Sequence, residues 1–138
     1  MQSAINSPFA GFRILYEFTR AQALADGLLI DATPLAREAG FKWPVYLTAD
    51  AWADTVAWSA ADYQRTLVAQ DERGRLWDVL TMLSLATRSA TSCLLHFELF
   101  RVPRDGSART PQRTRLKAVI APGEAGLPCI TIMLPNQD

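Results

Sequence analysis

The chain has 138 residues, 49% of them hydrophobic and 20% charged, with fourteen basic and fourteen acidic side chains. This is the composition of an ordinary globular protein, long enough for one domain with a real core. The charge balance excludes an acidic DNA mimic and a broadly basic chain, and no apolar run approaches the length of a membrane span.

The first thirteen residues, MQSAINSPFAGFR, lack the charged-then-apolar pattern of a signal sequence. They read as a flexible lead-in, and a cytoplasmic location is expected. FRILYEF (12–18) reads as a short strand or as an extended lead into a helix. TRAQALADG then predicts a capped helix, with Thr19 as N-cap, Gln22 at the capping-box position and Gly27 at the left-handed stop. LLIDA predicts a strand. TPLAREAG repeats the helix grammar, with Thr33 as N-cap, Pro34 at the first helical position and Gly40 as stop. WPVYLT is extended, because Pro44 disfavours helix at Trp43.

Thr48 is read as the cap of a helix running to about Trp58, with Ala49, Trp52, Ala53 and Val56 on one face. Ser59 starts another short segment that includes Tyr63 and Leu67. AQDERG is a turn with Asp71 as N-cap. The strongest helix follows in RLWDVLTMLSLATR. Leu76, Val79, Leu80, Leu83 and Ala86 fall at helical spacing, and Trp77, Met82 and Leu85 widen the apolar surface. Only Asp78, Thr81, Ser84 and Arg88 leave a polar stripe, so this helix is expected at the centre of the domain.

The last 46 residues predict a β-meander of CLLHFELFRV, RTRLKAVIA and CITIML. In the first strand Cys93, Leu95, Phe97 and Leu99 alternate with Leu94, His96, Glu98 and Phe100. In the second, Leu116, Ala118 and Ile120 alternate with Arg115, Lys117 and Val119. APGEAGLP is a Pro- and Gly-rich turn. The expected fold class is therefore α+β: short N-terminal helices and one long apolar helix packed on a small C-terminal antiparallel sheet, in a single domain over 1–138.

Candidate chemistry is sparse. His96 is the single histidine, and Glu98 shares its strand face. The pair reads as ordinary sheet residues or as a base with its orienting carboxylate in a small enzyme. Nucleophile-elbow and phosphate-loop motifs are absent. One His and two isolated Cys give no metal-ligand spacing, and no cofactor is expected. Cys93 and Cys129 read as two buried thiols, with a disulfide as the alternative. Asp26, Asp31, Asp54 and Asp78 are scattered, either solvated or facing a local arginine such as Arg37 or Arg75.

Two features suggest binding. Trp43, Tyr46, Trp52, Trp58 and Tyr63 crowd one window, either filling the core or supplying an exposed anchor; Trp43 and Trp58 are the candidates for exposure. The second feature is RVPRDGSARTPQRTRLK, residues 101–117. It holds Arg101, Arg104, Arg109, Arg113, Arg115 and Lys117 against one acid, Asp105. Residues 1–100 carry eight basic and eleven acidic groups, so the positive charge is concentrated in this one hairpin. Three readings stay open: a solvated tip, a patch that docks a protein, and an arm that touches nucleic-acid phosphates. Glu98 and Lys117 are expected as cross-strand partners.

YEFTRAQALADGLLID, LAREAGFKWPVYLT, GRLWDVLTML, FRVPRDG and CITIMLP, in that order, resemble an uncharacterised family of small proteins encoded on bacterial plasmids, phages and integrative elements. The resemblance covers roughly residues 14–135 and carries no catalytic residues with it. It implies a context, that of an accessory factor of a mobile genetic element. Such factors often hold a host defence complex stoichiometrically, as anti-CRISPR and anti-restriction proteins do. The expected function is a non-enzymatic inhibitor of that type, with CRISPR-Cas or restriction machinery as partner. The alternatives are a weak nucleic-acid-binding protein for plasmid transfer or replication, and an enzyme using His96 and Glu98. No membrane partner is expected, and the edges of a small sheet leave room for a dimer.

Overall fold

The structure is a computed structural model and describes residues 19–123 and 126–138. The lead-in over 1–13 and the FRILYEF segment lie outside the described residues. A first helix, α1, covers 19–25 and ends at Gly27, whose φ of +75° is the left-handed stop expected of it. Then follow β1 (Leu29–Asp31), α2 (Thr33–Glu38), β2 (Val45–Thr48), α3 (Ala49–Thr55), α4 (Ala60–Thr66), α5 (Glu72–Thr87), β3 (Leu94–Arg101), β4 (Gln112–Pro122) and β5 (Pro128–Met133).

The class is α+β, but the sheet is larger and more central than a C-terminal meander. Its five strands run in the order β1-β2-β5-β4-β3. The meander is present, since β3–β4 and β4–β5 are antiparallel neighbours. What the sequence does not announce is the parallel pairing of β2 with β5, with Leu47 opposite Ile132. That pairing lets Val45, Leu47, Ile130 and Ile132 bury on one face, each 3% exposed or less. β1 then extends the sheet antiparallel to β2.

Local chemistry explains most of the helices. Thr48 caps α3 by accepting from the Ala51 amide. Ser59 and Asp62 form a reciprocal capping box on α4, and Asp71 accepts from the Gly74 amide at 2.6 Å to start α5. Two expectations need correction. α3 stops at Thr55 instead of reaching Trp58, and it buries Ala51 and Thr55, leaving Ala53 exposed. Thr33 is not an N-cap: Ala32 holds that position, and the Thr33 hydroxyl accepts from the Val45 amide at 3.1 Å. The hydroxyl is more useful there, tying α2 to β2.

α5 packs chiefly on β3. Leu76, Val79, Leu80 and Leu83 bury against the inner sheet face, where Phe97, Leu99, Leu116 and Ala118 point. Each large apolar side chain so buried contributes roughly 1.5–3 kcal/mol. Trp77 and Leu85, at 41% and 47% exposure, face away from this core. Cys129 is buried as expected. Cys93, one residue ahead of β3, is exposed, and both thiols are free.

The outer sheet face is covered unevenly. Over the β2–β5 end, Arg20 of α1 stacks on Tyr46 at 5.6 Å and donates to the Pro122 carbonyl at 2.8 Å. At the β3–β4 end Leu94, His96, Glu98, Phe100, Arg113 and Arg115 are all exposed.

Candidate interaction surface

The basic segment divides into two parts with different work. Arg101 and Arg104 turn inward. Arg104 donates through Nε to Asp62 Oδ2 at 2.9 Å and through a terminal nitrogen to the Ala53 carbonyl at 2.9 Å. Arg65 donates to the other oxygen of Asp62 at 2.9 Å and to the Arg104 carbonyl at 2.7 Å. Arg101 pairs with Asp54 at 3.0 Å. These contacts clamp the start of the β3–β4 loop onto α3 and α4. Gly106, with φ of +83°, completes the turn; a Cβ there would stand 3.2 Å from Arg65 Cγ.

Asp62 is buried, at 2% exposure. Burial alone raises its pKa. The Ser59 amide, the Arg104 and Arg65 guanidiniums and the Ser59 hydroxyl outweigh that and hold the carboxyl down to about 2.

Below this clamp lies Arg75, 4% exposed. Its guanidinium donates to the carbonyls of Val56 at 3.1 Å and Val102 at 3.0 Å, and to Gln70 Oε1 at 2.8 Å. It also stacks on the Trp58 ring at 4.7 Å. Burial, with Arg101 and Arg104 nearby, lowers its pKa to about 10, so it stays charged at neutral pH. Trp58 is therefore half-buried as the lid of a structural cation, and its indole Nε1 is buried with no partner among the described residues. Trp43 is exposed at 37%.

The other cations face outward. Arg109, Arg113 and Arg115 are exposed and Lys117 is half-buried. Only Arg113 of these forms an ion pair among the described residues, with Glu98 at 3.3 Å, both side chains largely solvated. The expected Glu98–Lys117 pair is not formed. The register sets Glu98 opposite Arg115 and Lys117 opposite His96. Phe100 lies directly opposite Arg113 and is 63% exposed, and Leu94, further along the same face, is 49% exposed. The result is an apolar and cationic patch on a paired sheet, held at one end by the Arg104–Asp62 clamp. Period-two alternation already put Phe100 on the His96 and Glu98 face; its exposure depends on which end of the sheet α1 covers, which has no local signal.

His96 and Glu98 stand on this open face. The clefts described lie elsewhere: one of about 510 Å³ at the clamp, lined by Asp50, Asp54, Asp62, Arg65, Arg101 and Arg104, one of about 670 Å³ beside Asp71, Arg73, Trp77 and Asp78, and one of about 390 Å³ beside Trp58 and Tyr63. Burial raises the Asp78 pKa, against the opposing field of Arg75. Among the described residues no cluster of three His, Cys, Asp or Glu side chains has metal-binding geometry, and no helix is long and apolar enough to cross a membrane.

A family of unknown function, DUF6573, matches the chain over residues 5–138. No curated protein and no solved structure matches it.

Proposed function

The chain belongs to the DUF6573 family, and for this member we propose a non-enzymatic binding role, that of a mobile-element accessory protein which occupies a bacterial defence complex in the host cytoplasm. The carrying observation is the outward patch: Phe100 at 63% exposure, Arg113 opposite it, and Arg115 beside them on the same sheet face. An exposed aromatic next to arginines is the composition of a binding hot spot, and placing it on paired strands lowers the ordering cost of binding. The resemblance to plasmid and phage proteins supports the defence complex, of CRISPR-Cas or restriction type, as the partner class.

The test is capture from nuclease-treated lysates of bacteria that carry those systems. Wild-type protein is compared with a Phe100→Ala, Arg113→Glu, Arg115→Glu variant. A stoichiometric Cas or restriction complex retained by the wild type and lost by the variant supports the role. Equal recovery by both proteins sinks it.

The same patch favours one second reading. A solvated phenylalanine beside arginines on an open sheet is also a platform on which an unpaired base stacks while the cations meet phosphates. Under that reading single-stranded nucleic acid binds directly, the affinity falls steeply with salt, and nuclease removes everything captured.

A further inference from the structure

We infer that β3 is a homodimer edge, on which a second copy of this chain adds its own β3 antiparallel about a two-fold axis at Phe97. β3 ends the sheet order, and among the described residues nothing pairs with its outer side. The strand is eight residues long and carries no proline, two of its outward side chains are apolar, and its outward positions hold no lysine. Proline and lysine, two of the usual devices that block edge-to-edge pairing, are thus missing from it, and Glu98 is its one outward carboxylate.

The direction of its free hydrogen-bonding groups can be read from the ladder. The Ile120 amide donates to the Cys93 carbonyl at 2.8 Å, so the odd-numbered residues of this stretch turn their backbone groups toward β4. The even-numbered ones turn theirs outward. Leu94 confirms this: its amide and carbonyl both bond the Ser92 hydroxyl, at 3.0 and 2.8 Å, away from β4. Ser92 thereby closes one end of the edge and leaves His96, Glu98 and Phe100 open.

An antiparallel partner must pair even residues with even ones, which leaves few registers. Centring on Glu98 sets carboxylate against carboxylate. Centring on His96 sets the two imidazoles together and strands Phe100 against Ser92 of the other copy. Centring on Phe97 pairs His96 with Glu98 of the second copy, twice, an imidazole facing a carboxylate each time. The same register sets the Leu94 side chain against Phe100 on the outer face, and Leu95 against Leu99 on the inner face; Ser92 keeps the Leu94 backbone groups, so the hydrogen bonds between the copies are those of the two His96–Glu98 pairs. Of these three registers it alone gives each exposed side chain of the strand a complementary neighbour, and a two-fold axis requires such self-complementarity. The pairing joins two five-stranded sheets into one.

The experiment uses the purified full chain in sedimentation velocity over a concentration series, with circular dichroism to confirm folding. Wild type sediments as a dimer. His96→Glu sets carboxylates together at both crossed pairs and raises the dimer dissociation constant about tenfold or more. His96→Glu with Glu98→His exchanges the partners and restores the dimer. A wild type that stays monomeric at its highest attainable concentration overturns the inference, as does a swap that fails to rescue. The register has its own check: in a Cys93→Ser background, Leu94→Cys with Phe100→Cys forms an intermolecular disulfide on oxidation. A dimer that does not crosslink this way overturns the Phe97-centred register.

Discussion

Arg104 donates to Asp62 across 42 residues of sequence, Nε to Oδ2 at 2.9 Å, and so fastens the β3–β4 loop to the first turn of α4. The carboxylate is shared. It also accepts from the Ser59 amide at 2.8 Å and from Arg65 at 2.9 Å. One side chain therefore caps the start of a helix, answers two cations and sets the exit path of a strand.

Asp62→Asn is expected to destabilise the protein by about 2–3 kcal/mol, the scale of hydrogen bonds to a charged group. The pH dependence gives the sharper readout. The folded carboxyl titrates near 2 against an ordinary 3.8, so its stabilisation is complete above about pH 4 and is lost as pH falls toward 2. Thermal melts of wild type between pH 5 and pH 2 (approximate limits set by that linkage) drop steeply, and those of Asp62→Asn drop less. Parallel curves for the two proteins would assign the acid transition to other carboxylates.

Arg75→Lys tests whether the buried cation acts by charge or by shape. The guanidinium reaches the Val56 and Val102 carbonyls and Gln70 from one plane while lying on Trp58. An ammonium keeps the charge and loses the fork and the stacking. Urea unfolding is expected to show a loss of about 2–3 kcal/mol with the slope unchanged. Full retention of stability by the lysine variant would mean that charge alone suffices at this position.

Leu67 closes α4 in the left-handed region, at φ 59°, with its side chain 62% exposed. Leucine is strained there by roughly 1–2 kcal/mol. Glycine removes that strain and adds about 0.5–1 kcal/mol of unfolded-state entropy. Leu67→Gly is accordingly expected to stabilise the fold by about 0.5–1 kcal/mol, the difference of the two. A lowered melting temperature would show that the exposed leucine packs more usefully than its solvation suggests.

What the sequence made legible is what neighbouring residues decide. The Thr48 and Asp71 caps, the glycine stop at Gly27 and the shared face of Phe97 and Leu99 all follow from a few adjacent side chains. The parallel β2–β5 pair is different, because Leu47 and Ile132 lie 85 residues apart and no local pattern in either segment names the other. Arg101 and Arg104 look like surface charge until α3 and α4 bring Asp54 and Asp62 to them. Thr33 shows local grammar overruled, since its hydroxyl serves a strand twelve residues on instead of its own helix.

The division of the basic segment leads to the last prediction, which sets Arg104 against Arg115. Both lie in the same hairpin and have the same charge. Arg104→Ala removes the bonds to Asp62 and to the Ala53 carbonyl and leaves a buried carboxylate with one cation fewer. It is expected to cost about 2 kcal/mol in urea unfolding. Arg115 is exposed and makes no ion pair among the described residues, so Arg115→Ala changes stability by no more than about 0.5 kcal/mol. Binding should reverse the order once stability is accounted for. Arg115→Ala weakens capture of a partner, and Arg104→Ala weakens it only in proportion to the fraction unfolded. Capture undiminished by Arg115→Ala would remove this arginine from the binding surface and leave Phe100 and Arg113 to carry it.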